Sequence, residues 1–166
     1  MSIIKKYVMS VLVENHSGVL SKVAGLFSRR GYNIHSLTVG VTGDPEISRM
    51  TIVSIGDDYM FEQISKQLNK LIEVIKVIEL NPDTSVYREL SLIKVSAESN
   101  NKLLIMESVN TFRGKIIDMN EKSMIIEITG NEKKITAFIE LMKPYGIKEI
   151  IRTGLTALQR GNKLED

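Results

Sequence analysis

Strand-like and helix-like patterns of apolar residues alternate along the first 80 residues of the chain. The strand-like stretches are residues 7–13, 34–41, 50–55 and 74–80, which have the length and apolar character of sheet strands. Between them lie two stretches whose apolar residues recur at helical spacing, which is typical of amphipathic helices. The predicted helix faces comprise Val19, Leu20, Val23, Ala24 and Phe27, then Phe61, Ile64, Leu68, Leu71 and Ile72. The predicted order is βαββαβ.

The same order repeats after Asn81-Pro82-Asp83-Thr84-Ser85, which has the composition of a linker. Strands are predicted at residues 90–97, 115–119, 124–128 and 147–151, and the helix faces comprise Ile105, Val109 and Phe112, then Ile135, Phe138, Ile139 and Met142. The pattern predicts an α+β protein with two ferredoxin-like βαββαβ plaits in tandem. The predicted domains are residues 1–80, a linker at 81–87, and residues 88–166, which end in a short flexible tail.

The second predicted strand, residues 34–41, contains no Lys, Asp, Glu or Pro. In a plait with strand order 4-1-3-2 this strand lies at a rim, where an unprotected edge favours pairing with another chain. The other predicted rim strands contain charged residues, for example Lys76 and Glu79. Units of about 80 residues are marginally stable alone. We therefore expect a homodimer in which two such edges pair into an eight-stranded sheet. The alternative is that the second unit or another partner covers this edge.

The composition narrows the function classes. The 166 residues include 22 basic and 20 acidic side chains, 43% hydrophobic residues and no cysteine. Absence of cysteine excludes disulfides, thiolate nucleophiles and cysteine zinc sites and favours a cytoplasmic protein. A net charge of +2 gives no basic surface typical of nucleic-acid binding, and no uncharged apolar run approaches the ~18 residues of a membrane span. We expect neither a nucleic acid nor a membrane as partner.

The segment Asn15-His16-Ser17-Gly18-Val19 is the first candidate for chemistry. Asn15 or Ser17 is predicted to cap the first helix, which is the general role of such residues. Any N–H groups left uncapped, together with the helix dipole, suit a small anion such as a carboxylate. Gly18 has no Cβ, so a ligand can approach the backbone closely. The residues alone leave both roles open.

Asn33 is the second candidate, because it directly precedes the uncharged edge strand. Its amide is both a donor and an acceptor and suits the zwitterionic head of an amino acid, although asparagine is also common in ordinary turns. If two edge strands pair, the helix N-terminus of one chain and the edge strand of the other could flank one pocket. The two histidines, His16 and His35, form no convincing metal site, and no catalytic motif is present.

The candidate residues lie in two segments whose sequences resemble a known protein family. Residues 10–20, SVLVENHSGVL, and 25–34, GLFSRRGYNI, resemble an ACT domain and, more narrowly, the regulatory small subunits of acetolactate synthase, also called acetohydroxyacid synthase. The resemblance continues through residues 36–39, 48–51, 66–71, 88–90, 112–114 and 154–155. It extends over essentially the whole chain and is most specific in the first 80 residues. No functional residue of the second half is assigned from it.

The resemblance implies a non-catalytic regulatory subunit in valine, isoleucine and leucine biosynthesis. Its two ACT domains would bind a branched-chain amino acid, usually valine, at the dimer interface. A separate large catalytic subunit would be activated and made sensitive to feedback inhibition. That subunit, and not this chain, would carry thiamine diphosphate, magnesium and FAD. The effector-binding positions implied by the resemblance are Asn15, His16, Ser17, Gly18, Val19, Asn33 and Ile34.

Two other functions remain open from the sequence. One is an ACT-type amino-acid sensor for another enzyme or a transcription regulator. The other is an acylphosphatase-like hydrolase on the same plait, which would require an arginine in a phosphate-cradling loop and a water-positioning asparagine. The sequence also leaves open which branched-chain amino acid binds, because one methylene changes binding in an apolar pocket by only about 1–3 kcal/mol.

Overall fold

The computed structural model describes residues 3–161. Along this part of the chain, strands and helices alternate in two βαββαβ series, followed by one short strand. The first series consists of β1 (Lys5–Glu14), α1 (Val19–Arg29), β2 (Ile34–Val41), β3 (Ile47–Gly56), α2 (Asp58–Leu68) and β4 (Val74–Glu79). The second consists of β5 (Ser85–Ser96), α3 (Lys102–Thr111), β6 (Lys115–Met119), β7 (Ser123–Gly130), α4 (Glu132–Met142) and β8 (Ile147–Arg152), and β9 (Thr156–Gln159) follows it. The predicted order of elements is confirmed.

The first unit is an antiparallel sheet with the strand order β2-β3-β1-β4 and with α1 and α2 on one face. Alternate residues of β1 point toward the helices and are buried, because side chains of a strand alternate between its two faces. The core consists mainly of Tyr7, Met9, Val11, Val13, Val23, Phe27, Met50, Ile52, Ile64 and Leu68. The predicted plait is confirmed, and β2 and β4 form its rims.

The second unit has the equivalent strand order, β6-β7-β5-β8. Its core contains inward-facing residues of β5 and β7 together with apolar residues of α3 and α4: Ile93, Val95, Ala97, Ile105, Val109, Met124, Ile126, Ile128, Ile135, Phe138 and Met142. The rings of Phe112 and Phe138 pack edge to face at 5.3 Å. This unit is the second predicted plait.

The chain divides between these units at Val86, and residues 155–161 group with the first unit. The predicted bounds of 1–80, 81–87 and 88–166 stay a prediction, but β5 begins at Ser85, within the expected linker. The sequence did not predict β9, because only Ala157 of its four residues is buried. The expected flexible tail includes residues 162–166, which lie outside the described part of the chain.

Residues 155–159, here called the strap, lie on the face of the first sheet that points away from α1 and α2. The Leu155 N–H donates to Ser36 Oγ at 3.1 Å, and Thr38 Oγ1 donates to the Leu155 carbonyl at 3.0 Å. Both side chains belong to β2 and point to this far face. The strap is therefore anchored to the rim strand that the sequence identified as unprotected.

Candidate functional site

Helix α1 begins at Val19 without a side-chain cap. In α2 and α4, by contrast, Asp57 and Asn131 accept hydrogen bonds from backbone N–H groups of the first turn. The expectation that Asn15 or Ser17 caps α1 is therefore wrong. The first turn of α1 contains no acidic side chain either, so the positive end of its dipole is not neutralised by the helix itself.

Asn15 supports the loop between β2 and β3 instead of capping α1. Its Nδ2 donates to the Pro45 carbonyl at 2.8 Å, and its Oδ1 accepts from Ser48 Oγ at 3.0 Å. Its backbone N–H donates to the Glu46 carbonyl at 2.7 Å. Asn15 directly follows the last pair of the β1–β3 ladder, Glu14 and Ile47, so its side chain reaches the neighbouring loop before the helix begins. These bonds fix the segment that leads to Gly18.

Gly18 occupies the position directly before α1 with φ +90° and ψ −17°. This left-handed conformation is readily adopted by glycine and costs about 1–2 kcal/mol for most other residues. A Cβ built on Gly18 would meet no heavy atom within 4 Å, so the space in front of it is open. An uncapped helix N-terminus facing open space can bind a small carboxylate through its N–H groups.

Two acidic groups at this end of the sheet, Glu14 and Glu73, lie against His16 and Lys22. Lys22 forms a salt bridge with Glu73, and this hydrogen bond holds the pKa of the Glu73 carboxyl below its usual range. His16 is exposed, and its ring nitrogens lie 3.1 Å from the Ser17 carbonyl and 3.1 Å from Glu14 Oε2. Both contacts raise the pKa of His16, and the contact with the Ser17 carbonyl has the larger effect. Pairing lowers the repulsion that free carboxylates would exert on an anionic ligand.

Asn33 lies at the opposite end of the same sheet. Its backbone carbonyl accepts from Ser54 Oγ at 2.8 Å, and its side chain is exposed. Ile34 is half-buried and packs against the core of the unit. Ser48, which touches Asn15, and Ser54, which touches Asn33, are six residues apart on β3, or about 20 Å at the rise of a strand. A single chain therefore does not bring Asn15 and Gly18 close to Asn33.

Ser48 and Pro45 are contacts of Asn15 that the sequence analysis did not identify. Ser48 belongs to the stretch 48–51 that carried part of the resemblance, but its role depends on the register that places it beside Val13 and next to Asn15. Within residues 3–161 there is no cluster of three or more His, Cys, Asp or Glu side chains that could hold a metal ion. None of the helices in that range is long and apolar enough to cross a membrane.

Two protein families match the chain, one for each half. The family described as "AHAS small subunit-like ACT domain" matches residues 9–76. The family described as "Small subunit of acetolactate synthase" matches residues 88–161. The two matches follow one another along the chain and together include most of its residues.

Known proteins resemble the chain over nearly its full length. A probable acetolactate synthase small subunit of Archaeoglobus fulgidus is 57% identical over 158 residues, which cover 95% of this chain and 99% of the relative. The acetolactate synthase small subunit of Mycobacterium bovis is 50% identical over 157 residues, covering 95% and 94%. The crystal structure of the Thermotoga maritima small subunit superimposes with a TM-score of 0.90 at 47% identity, covering 95% of this chain and 99% of that one.

Proposed function

The chain belongs to the acetolactate synthase small-subunit family, and on that premise we propose that it regulates an acetolactate synthase by binding a branched-chain amino acid. Membership confirms the family resemblance stated from residues 10–34. That the chain is regulatory and has no catalytic activity of its own is part of the proposal. In the proposal, the chain binds a large catalytic subunit, activates it and confers feedback inhibition by valine. Thiamine diphosphate, magnesium and FAD would belong to that large subunit, and both would work in the cytoplasm.

The observation that carries the proposal is the open, uncapped N-terminus of α1 behind Gly18. The carboxylate of valine would accept from the N–H groups of the first turn, beginning at Val19. Burial of its isopropyl group would contribute about 1.5–3 kcal/mol. Because submillimolar binding requires more than ~4 kcal/mol, the polar contacts must supply the remainder.

A dimer completes this site in the proposal. β2 is a rim strand without charged residues, and its Val39 and Val41 are exposed. If β2 pairs antiparallel with β2 of a second copy, the beginning of one strand lies beside the end of the other. Asn33 would then lie near the end of the second copy's sheet that contains Gly18. Gly18 and Asn33, which lie about 20 Å apart within one chain, would thus come together across the interface from two different chains.

A ligand held between two chains can regulate a third. Valine bound by Gly18 of one copy and Asn33 of the other would stabilise one relative placement of the two ACT domains. The large subunit would respond if it binds the two placements with different affinities, and valine affinity would then depend reciprocally on the large subunit. No catalytic group is required in this chain.

Reconstitution with the large subunit of the same organism tests this function. We expect the chain to raise acetolactate formation and valine to lower it again. Gly18→Asp should retain activation but abolish valine inhibition, because it places bulk and negative charge in the carboxylate site. Gly146→Asp is the matched control, since Gly146 lies in the second unit with a similar φ of +85°. Unchanged valine inhibition of the Gly18 variant would refute the assigned site, and failure to stimulate the large subunit would refute the function.

Asn33→Ala tests the contribution of the second copy. The variant should weaken valine binding about tenfold, as expected for loss of a hydrogen bond to a charged group, and should leave the dimer intact. Asn100→Ala is the control, because Asn100 is likewise exposed but lies in the second unit. Calorimetry with valine, isoleucine and leucine would also identify the preferred effector. Native affinity of the Asn33 variant would exclude its assigned role.

A further inference from the structure

A cavity of about 300 Å³ lies beside β2 on the far face of the first sheet, opposite the helices. Its polar lining includes Thr38, Arg49 and Thr51 from the sheet and Thr156 from the strap. The remaining lining residues belong to the end of β2 and the turn after it. Because α1 packs on the other face of the sheet, this cavity is separate from the site at Gly18.

Arg49 is the single charged residue in the lining of this cavity, which contains no carboxylate. The guanidinium is half-buried, and its Nη1 donates to Ser10 Oγ at 3.0 Å. Among the residues that the structure describes, no Asp or Glu forms a salt bridge with it. A half-buried guanidinium with donors to spare favours an anionic partner, since five N–H groups are available and one is used here.

Thr51 is a buried polar residue in the lining of this cavity and is only 2% exposed. In the register of the sheet, Thr51 lies between Ser10 of β1 and Thr38 of β2. Its hydroxyl can donate to, or accept from, a polar group that enters the cavity. The hydroxyl therefore marks a place where a polar ligand atom would fit.

Gly40 opens the cavity next to Arg49. Gly40 pairs with Arg49 across β2 and β3, and a Cβ built on it would meet no atom within 4 Å. A larger residue at this position would occupy part of the cavity that Gly40 lines. The glycine thus leaves room for a ligand between the rim strand and Arg49.

We infer that this cavity is a second ligand site, which binds the carboxylate or phosphate group of a small molecule. Arg49 would bind two oxygens of the group through its planar fork, and the hydroxyls of Thr51 and Thr156 would donate to the remaining oxygens. A volume of about 300 Å³ is at the lower end of small-molecule pockets, which limits the ligand to a compact metabolite. An occupant touching Thr156 would also hold the strap against β2.

Amide NMR of the full-length chain tests this inference with inorganic phosphate and with acetate, at constant ionic strength and with sodium chloride as the reference salt. We expect saturable shifts at Arg49, Thr51 and Thr156 with at least one of the two anions. Saturation by phosphate alone would assign a phosphate group, and saturation by acetate alone a carboxylate. Shifts no larger than those with chloride for both anions would overturn the proposal.

Variants separate this site from a general surface effect. Arg49→Gln should weaken binding at least about tenfold, and Thr51→Val about fivefold, whereas Thr51→Ser should restore it. Arg30→Gln is the control, because Arg30 is exposed at the end of α1. Should Arg49→Gln fail to fold, the contrast between Thr51→Val and Thr51→Ser decides alone. Equal affinity for these two variants would overturn the site.

The inference does not depend on the proposed function. Gly18→Asp should leave the shifts at Arg49 and Thr51 unchanged, because Gly18 lies on the other side of the sheet. Loss of those shifts in the Gly18 variant would show that the anions act through the valine site, and would contradict a separate cavity. Conversely, a chain that fails to bind valine can still bind phosphate or acetate at Arg49.

Discussion

The rim strand β2 of the first unit contains no charged residue, whereas β6, the equivalent rim strand of the second unit, contains Lys115 and Asp118. Charged residues on a rim hinder pairing with another chain, and their absence permits it. The two units have the same strand order and equally apolar cores. Because the two units share one fold and differ at this rim, we expect any difference in their association with another chain to depend on the rim strands and not on the fold.

The sheet faces that point away from the helices differ as well. In the first unit, Ser10 and Thr51 lie there and are buried, and the strap is anchored to β2 on that face. In the second unit, a shallow cavity of about 110 Å³ lies on the corresponding face. Its apolar lining residues are Leu92, Ile125 and Ile151. The first far face thus contains buried hydroxyls, whereas the cavity on the second combines apolar residues with Lys94 and Glu149, so the two are suited to different ligands or partners.

Two arginines illustrate the same difference. Arg152 of the second unit forms two hydrogen bonds with Glu89, at 2.5 and 2.8 Å, and this pairing raises its pKa. Arg49 of the first unit binds only the hydroxyl of Ser10 among the described residues. The guanidinium of Arg152 is already neutralised by a carboxylate and stabilises the fold. The guanidinium of Arg49, which is bound to a hydroxyl, remains able to bind an anion.

Charging the two rims of the first unit should produce the largest effect. We expect Val39→Lys, on β2, to convert the proposed dimer into a monomer, because it places a charge on the edge that pairs. Ile75→Lys, on the opposite rim β4, is the matched control and should leave the dimer intact, since both residues are similarly exposed, at 44% and 52%. Light scattering measures the mass. A dimer that survives the Val39 change would remove the rim from the interface.

Replacing each arginine by methionine should produce a smaller, unequal effect. Arg152→Met leaves the carboxylate of Glu89, which is only 5% exposed, without its partner. We expect a loss of about 2 kcal/mol, below the usual cost of breaking a buried pair because Arg152 is partly exposed. Arg49→Met should cost about 1 kcal/mol, less than Arg152→Met, because the buried group that loses its partner is the neutral hydroxyl of Ser10 and not a carboxylate. Hydrogen exchange of the β5 and β3 amides measures the loss of stability in the two variants. Equal losses would contradict the distinction between a carboxylate-paired and a hydroxyl-bound arginine.

The smallest expected effect concerns the loop before α1, which contains His16, whereas the loop before α3 contains no histidine. The folded-state pKa of His16 is raised by the Ser17 carbonyl and by Glu14. Its contribution to stability is therefore fully present below the unfolded-state pKa of about 6.5 and is lost as the pH rises through the folded-state pKa. Glu73 and Lys22, which form a salt bridge with each other, lie near this loop.

His16→Gln should accordingly lower the free energy of unfolding at about pH 5.5 but not at about pH 9, which urea denaturation at the two pH values measures. Glu14→Gln is the companion variant. It should bring the pKa of His16 toward its ordinary value, as followed by NMR titration of the ring. A stability difference that is constant between the two pH values would contradict the assigned contacts.

The sequence predicted the fold closely, because apolar periodicity depends on local geometry that every residue of an element shares. The eight strands and four helices of the two plaits fall where the pattern placed them, within a few residues. β9 was missed because its four residues offer too short an alternation. The turns that follow the equivalent helices α1 and α3 differ in their backbone conformation. Gly31 has φ +68°, whereas in the second unit Arg113 adopts the left-handed conformation.

The candidate site was harder to predict, because it depends on which residues the register brings together. The sequence identified Gly18 and the helix that follows it, but assigned a capping role to Asn15. In the structure, the loop between β2 and β3 comes within hydrogen-bond reach of Asn15 and binds its side chain first. The sequence also could not indicate that Gly18 and Asn33 lie at opposite ends of one sheet, since strand pairing sets that distance.

The sequence by itself determined the two plaits, the uncharged rim of the first and the family, since each is recorded in local patterns of residue types. Only the tertiary structure decided where the residues after Gly154 go, and thereby that the strap lies on the far face of the first sheet and lines the cavity beside Arg49. The physical reason is the distance along the sequence over which the residues interact. A helix or strand can be predicted from residues that are a few positions apart in the sequence. The hydrogen bonds from Leu155 to Ser36 and Thr38 instead join residues more than a hundred positions apart.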